Sequence, residues 1–444
     1  MTGGLDQFLT LDLVPLLAGL IACVTCALLG SLLVLRRMSL MGDAISHSVL
    51  PGIVAAFMIA QTRDPFAMLI GAAIAGVLTA GLTTLVRSIG RVEPGAAMGT
   101  VFSVFFALGV LMLERAELGN IELDASCVLH GQIETLFWIR PEGAAWHAPE
   151  SLATLPRQLL IQAIGLASAV LFVTLFYKEL RIVSFDAQLA TSQGLSASFV
   201  HGMLMVLVAI ATVASFEAVG SILVIAMLIA PAAAARLLTD RFGTYILSSV
   251  ALGATAALVG HFSAGALPSM LDLPAVNQAG AIATASGLLL AVAALLAPRH
   301  GVVPRILSRR AIATRVDDED VLAALYRLSE TGESAPKPEM LQTLMAPARL
   351  DSAIARLNAQ RNLARNAESG LTLTEQGLEQ ARSVVRKHRL WETYLVDTAG
   401  LSPDHVHDTA EKLEHLRIQP ASTSTQTDPH GRPIPDASGQ KPTA

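Results

Sequence analysis

RRMSLMGDAISHSVLPG, residues 36–52, is the stretch on which the reading of this chain turns. Arg36 and Arg37 close one apolar run, and a second begins within a few residues. Between them Asp43 and His47 lie four apart, which stacks both on one face of a helix. Apolar sequence follows, so the pair stands in the opening turns of a hydrophobic helix. An ionisable side chain there costs several kcal/mol unless it is paired, hydrated or bound to an ion. A carboxylate oxygen and an imidazole nitrogen together suit Mn, Fe or Zn. A plainer reading also fits: Gly42-Asp43 caps the helix N-terminus and His47 bonds to a neighbour.

Working outward, the composition sets the solvent. Of 444 residues 52% are hydrophobic and 15% charged, with a mean hydropathy of +0.54. This is too apolar for a water-soluble protein of such length. Charge is sparse up to Leu296 and dense from Arg299 onward, so a membrane part precedes an aqueous part. A bilayer core needs about 20 apolar residues per helix. Nine runs qualify: 12–35, 44–60, 66–86, 97–113, 158–177, 200–215, 218–236, 243–262 and 278–297. SFEAVG alone separates the sixth and seventh, so one of them can be broken, which leaves eight. Basic residues follow every odd run: Arg36 and Arg37, Arg87 and Arg91, Lys178 and Arg181, Arg236 and Arg241, then Arg299, Arg305, Arg309 and Arg310. That asymmetry sets the N-terminus outside and the C-terminus in the cytoplasm. No basic n-region with a cleavage site opens the chain, so the first run is expected to stay as an anchor. The opposite loop, 114–156, is acidic and suits an arriving cation, or equally a solvated surface. Cys23 and Cys26 form a C-x-x-C inside an apolar run and are expected to serve close helix packing, since redox or zinc chemistry needs polar access. Glu217, His261 and Asn277 are read as packing or interfacial residues. A net charge of −5 gives no field to draw the molecule to nucleic acid.

Beyond Arg310 the pattern becomes that of soluble amphipathic helices. Val321, Leu322, Leu325 and Leu328 share one face. Helices are expected near 339–346, 348–363, 375–398 and 403–416, and GLTLTEQG (370–377) reads as a short strand entering a helix. Helices with a small hairpin predict a winged helix. His388 and Glu392 are four apart, as are Glu411 and His415, and His407 lies one turn before Glu411. Two such helices side by side gather oxygen and nitrogen donors. The end of the chain, 419–444, is rich in Ser, Thr, Pro and Gly and is expected to lack structure.

The stretch 36–52, with Pro51 and Gly52 after the Asp/His pair, resembles the second-helix signature of the manganese/zinc/iron ABC importer permeases. The resemblance continues through GTVFSVFFALGVLML (99–113) and VGSILVIAMLIAPAAAARLLTDRF (219–242). It implies that Asp43 and His47 are metal ligands on the permeation path. SFDAQLATSQG (184–194) resembles the family's loop and short coupling helix, which docks on the nucleotide-binding subunit, with Phe185, Asp186, Ala190 and Gly194 at matching positions. Residues 386–415 and DPHGRPIP (428–435) resemble the diphtheria-toxin-repressor and manganese-repressor class. That resemblance implies metal ligands at Asp320, Glu411, Glu414 and His415, and further ones at His388, Glu392 and His407. Glu411 stands where iron-type members carry Cys, and hard oxygen tilts the choice toward Mn(II). Ala323 replaces a first-helix carboxylate of the manganese-type members.

The expected fold is an all-α polytopic membrane protein of eight or nine spans, a type II ABC importer permease, with a cytoplasmic winged helix at its C-terminus. The expected division is a permease over 1–300, a linker over 301–316, a metal-sensor-like domain over 317–418 and the tail. The resemblance implies a bacterial inner-membrane importer of Mn, Fe or Zn, served by a separate ATPase, an external solute-binding protein and a second permease. No G-x-x-x-x-G-K-[ST] occurs, so this chain offers no ATP site and is not expected to be an enzyme. The rival reading is a membrane-tethered, metal-dependent transcriptional regulator. PARLDSAIARLNAQRNLAR carries Arg349, Arg356, Arg361 and Arg365, yet residues 316–418 hold twelve Lys/Arg against seventeen Asp/Glu. Phosphate contacts need clustered positive charge, so nucleic acid is not an expected partner.

Overall fold

A computed structural model describes residues 8–38, 41–61, 65–117, 133–139, 147–270, 272, 274, 276–333, 335–366, 370–415, 418 and 426–436. Most of the acidic loop and Cys127 lie outside these residues, as do the side chains of Asp43 and Glu217. The chain separates into two compact units, 1–304 and 305–444.

The first unit is helical: α1 (Leu13–Leu35), α2 (Met41–Ser48), α3 (Leu50–Ala60), α4 (Pro65–Gly90), α5 (Pro94–Glu117), α6 (Arg157–Leu175), α7 (Tyr177–Phe185), α8 (Ala187–Ser192), α9 (Ala197–Val219), α10 (Ser221–Leu238), α11 (Phe242–Met270) and α12 (Gln278–Leu296). Among the described residues seven helical stretches are long and apolar enough to cross a membrane: Phe8–Leu35, Phe66–Gly90, Gly95–Arg115, Arg157–Leu175, Ala197–Phe216, Phe242–Gly265 and Gln278–Leu296. Leu50–Ala60 and Leu223–Leu238 are shorter apolar helices.

Helix α1 is apolar on every side, and a helix of that kind belongs inside a bundle. It packs against α6, α9, α10 and α11. Polar side chains tie its carbonyls: Ser249 Oγ donates to Ala27 O (2.8 Å), Tyr245 Oη to Ser31 O (3.0 Å) and Gln278 Nε2 to Pro15 O (3.2 Å). Within hydrocarbon such bonds give helix pairs a fixed register. Cys23 and Cys26 are buried free thiols in these contacts. The helix ends in a left-handed cap, with Arg37 at φ 57° and Met38 N–H returning to Leu33 O (2.9 Å).

The second expected span is two helices rather than one. Pro51 has no N–H to give the carbonyl of His47, so the helical ladder is interrupted and restarts with Pro51 in the first turn of α3. Small residues fix the next crossing. A Cβ on Gly52 would lie 2.1 Å from Gly71 O, and one on Gly71 would lie 2.3 Å from Gly52 O. Helices α3 and α4 therefore touch backbone to backbone. Helices α9 and α10 are separated by Gly220 alone, at φ 85°.

The second unit contains most of α13 (Val302–Glu330), then α14 (Pro347–Ala359), strands β1 (Leu363–Arg365) and β2 (Leu371–Leu373), α15 (Glu375–Asp397) and α16 (His407–Glu414). The strands pair antiparallel, Leu363 opposite Leu373. Val321, Leu322, Leu325, Leu350, Ile354, Leu357, Leu363 and Leu371 form its core. The helix and hairpin order is that of a winged helix. Thr374 caps α15 by accepting from Gly377 N–H (3.0 Å). Residues 302–316, read from sequence as a linker, continue as helix into α13. Residues 426–436, within the stretch expected to lack structure, make a turn docked on α15. Its Asp428 Oδ1 accepts from His430 N–H (2.9 Å) and Arg432 N–H (2.7 Å). Arg389, 3% exposed, donates to Pro433 O (2.5 Å) and pairs with Glu330 (2.5 Å), and Arg386 bonds Pro435 O. Composition alone misses this because two arginines on α15, not an apolar core, hold the turn.

Candidate metal sites

In the first unit α2 bears the sequence-predicted pair. This eight-residue helix is walled by α4, α5, α9 and α10. Met41, Ala44, Ile45 and Ser48 are buried, and Ser48 Oγ bonds back to Ile45 O (3.1 Å). The backbone places Asp43 one turn before His47. The half-buried His47 ring meets Phe102 (centroids 5.4 Å) and Phe106 (6.2 Å, edge-on), both on α5. A helix this short, stopped by Pro51 inside the bundle, presents its imidazole among packed helices.

The segment 184–194 is an ordered helical corner. Asp186 caps α8, its Oδ1 accepting from Gln188 and Leu189 N–H (2.9 Å each). Ala190 is fully buried beneath the helix, and Gly194 takes φ 81° to leave it. Phe185 and Leu189 are exposed, with Phe185 edge-on to Phe242 (6.2 Å). Of the other polar residues, Asn277 caps α12 through Gly280 N–H (2.8 Å) and donates to Glu134 (3.0 Å). His261 lies edge-on to Phe262.

In the second unit six of the seven predicted donors gather in two groups, His388–Glu392–His407 and Asp320–Glu414–His415. Within each group donor atoms lie within 4.8 Å of one another. Glu411 is exposed and stands outside both. In the first group His388 Nε2 is 3.1 Å from Glu392 Oε1 and from His407 Nδ1. Glu392 Oε2 is buried with no hydrogen-bond partner, an orphan oxygen of the kind a cation satisfies. His388 Nδ1 meets Glu414 Oε2 at 2.5 Å, which joins the groups through one imidazole. In the second group Asp320 Oδ1 is 3.2 Å and Glu414 Oε1 3.8 Å from His415 Nε2.

The charges follow from these contacts. Burial opposes ionisation of Glu392, but bonds to His388 and His407 outweigh it and bring the carboxyl down to about 2. Burial likewise opposes the His415 cation, and the Asp320 and Glu319 carboxylates overcome it, raising the imidazole to about 9. Three imidazoles held by carboxylates in this way, His388, His407 and His415, give O/N donor sets suited to Mn, Fe or Zn. Sequence reasoning did not single out Glu319, which reads as one of four successive acids. Two of the others are committed elsewhere: Asp317 pairs with Arg349, and Asp318 with Arg356 (2.7 Å).

A bundle of membrane-length helices around a short inner helix, joined to a winged-helix unit with clustered donors, defines a membrane permease with a repressor-like appendage. The chain belongs to the ABC 3 transport family, whose pattern matches residues 11–137 and 150–297. Residues 374–436 match the iron dependent repressor metal binding and dimerisation domain. The zinc transport system membrane protein TroD of Treponema pallidum is 36% identical over 371 residues, covering 83% of this chain and 97% of that protein. The manganese transport system membrane protein MntD of Bacillus subtilis is 38% identical over 295 residues, covering 65% and 93%. Among solved structures, PsaBC from Streptococcus pneumoniae in complex with Fab matches with a TM-score of 0.54 and 28% identity, covering 70% of this chain and all of that one.

Proposed function

We propose that this chain is the membrane-spanning subunit of an ATP-driven importer of a divalent transition metal, Mn(II) first among the candidates, then Fe(II) and Zn(II). The observation that carries the reading is α2, a short helix enclosed by four others that bears Asp43 and His47 in a chain of a transport family. The two side chains take the ion as a carboxylate–imidazole pair and release it when the surrounding helices rearrange between two packings. Relatives named for zinc and manganese transport support the cargo class.

ATP hydrolysis belongs to a separate subunit, and this chain performs no chemistry of its own. The exposed Phe185 and Leu189, on a corner stiffened by Asp186, Ala190 and Gly194, are the surface for that subunit. An external binding protein delivers the metal, and a second permease completes the pathway. The membrane is the bacterial cytoplasmic one, with the second unit on its inner side. That unit reads the imported metal through His388, Glu392, His407, Asp320, Glu414 and His415, with Glu411 available from its exposed position, and adjusts transport. A nucleic-acid role is disfavoured because Arg349 and Arg356, the two cations of α14, already pair with carboxylates of α13.

Uptake of radioactive Mn(II) by cells tests the pathway. Asp43→Ala and His47→Ala should each abolish uptake while the chain still co-purifies with its ATPase. Normal uptake in either variant would refute the assignment.

A further inference from the structure

Glu319 was not among the expected ligands, yet it makes the shortest side-chain contact to the His415 ring. Its Oε2 lies 2.7 Å from His415 Nδ1. Asp320 and Glu414 approach the same ring at Nε2, on the opposite edge. A neutral imidazole carries one proton, and the group that accepts it decides which nitrogen keeps a free lone pair. With Glu319 accepting from Nδ1–H, the Nε2 lone pair faces the two remaining carboxylates. Arg315 braces this arrangement, its Nε 3.3 Å from Glu319 Oε1 and its Nη2 bonded to the His415 carbonyl. Both His415 and Glu319 are largely shielded, at 11% and 19% side-chain exposure, so the contact is not a passing surface encounter.

The local sequence supplies the reason for a carboxylate here. Ala323 stands one turn after Glu319 on the same face of α13 and is buried at 2% exposure, with no donor to offer. Among the described residues Asp320, Glu414 and His415 are the three donors of the group. A site with so few donors depends more heavily on the aim of each, and an outer carboxylate both fixes a ligating histidine and raises its basicity.

We propose that Glu319 is a positioning residue: it holds His415 with Nε2 directed at a divalent metal shared with Asp320 and Glu414, and does not itself ligate. The proposal rests on the reading of that group as a metal site.

The test uses the full chain in detergent, in an Asp43→Ala/His407→Ala background that silences the other two donor sets. Mn(II) alone is titrated and its free signal read by electron paramagnetic resonance. Glu319→Met, which keeps length and helix propensity but cannot accept a proton, should weaken binding about 10- to 100-fold. Glu319→Gln, whose amide oxygen can still accept from Nδ1–H, should restore affinity to within a few-fold. Nitrogen-15 spectra of labelled histidine, recorded without metal at about pH 10 so that the His415 ring is neutral, should show Nδ1 protonated in the background protein and in the Gln variant, with that preference lost in the Met variant. Equal loss in both variants would make Glu319 a ligand through its charge, and no loss in either would make it a bystander; each overturns the proposal. His415→Ala serves as the control. If it binds Mn(II) as well as the background protein does, the site and the role of Glu319 fall together.

Discussion

His415 shows how a single residue can carry a pH dependence. Its unfolded value near 6.5 rises to about 9, with burial opposing and Asp320 and Glu319 favouring the cation. A group raised in this way stabilises the fold fully below about 6.5, and that contribution is lost as pH climbs through about 9. A metal needs the neutral ring, so the proton competes with it over the same window. We expect Mn(II) affinity at this group to rise about tenfold per pH unit from pH 7 toward 9, since one proton leaves per ion bound. Glu392, down at about 2, is ionised throughout and adds no slope. Isothermal titration of the full chain at pH 6.5, 7.5 and 8.5 checks this, and a flat profile would contradict it. The closeness of His388 and Glu392 was legible because helical periodicity is short-range and regular. The position of Glu411 outside both groups was not, because which side of α16 faces α15 is decided by Leu395, Val406 and Ala410 packing between the two helices. The same limit hid Glu319, whose partner lies 96 residues away along the chain.

At the scale of elements, the close backbone approach of Gly52 and Gly71 sets how α3 is held against α4. A Cβ at Gly71 would sit 2.3 Å from the Gly52 carbonyl, and a carbonyl in a membrane helix cannot swing aside as a side-chain tip can. Gly71→Val should therefore force α3 and α4 apart, costing at least about 1–3 kcal/mol as overpacking does. Gly81→Ala in the same helix, with nothing within 4 Å, should be tolerated. Thermal unfolding of the two variants in detergent distinguishes them, and equal midpoints would refute the contact. Likewise Asp186→Ala removes the cap of α8, worth about 1 kcal/mol. It should lower uptake while leaving the amount of chain in the membrane unchanged, as measured by uptake normalised to immunoblot. The long apolar runs were legible element by element, since hydropathy reports the solvent directly. The break after Ser48 was not, because Ala44 and Ile45 before it and Val49, Leu50 and Ile53 after it read as one apolar run. Pro51 was the available signal, and its meaning depends on which carbonyl it leaves without a donor. In the second unit the GLTLTEQG stretch was legible because Thr374 and Glu375 mark a helix start after alternating Leu371 and Leu373.

For the whole molecule, each of the two units has its own core. The Asp43/His47 pair, the small-residue crossings and the α8 corner all lie within residues 1–304. The two donor groups lie within residues 305–444 and meet through the contact of His388 with Glu414. A chain built in this way should transport without its second unit but should no longer adjust transport to the metal it has imported. Truncation after residue 304 is therefore expected to keep uptake at low Mn(II) and to lose any change in rate as internal Mn(II) accumulates. Coupling between two sites on one protein is commonly 1–3 kcal/mol, so the intact chain should change its rate on the order of 5-fold or more over the same range. Vesicles preloaded with graded Mn(II), carrying the full complex with either chain, measure this directly. Asp320→Ala/His415→Ala in the intact chain separates metal sensing from mere loss of bulk, since it removes donors and leaves the unit in place. If that variant still changes its rate as the intact chain does, the second unit does not act through these donors. If the truncated chain also responds, the metal acts on the membrane unit itself.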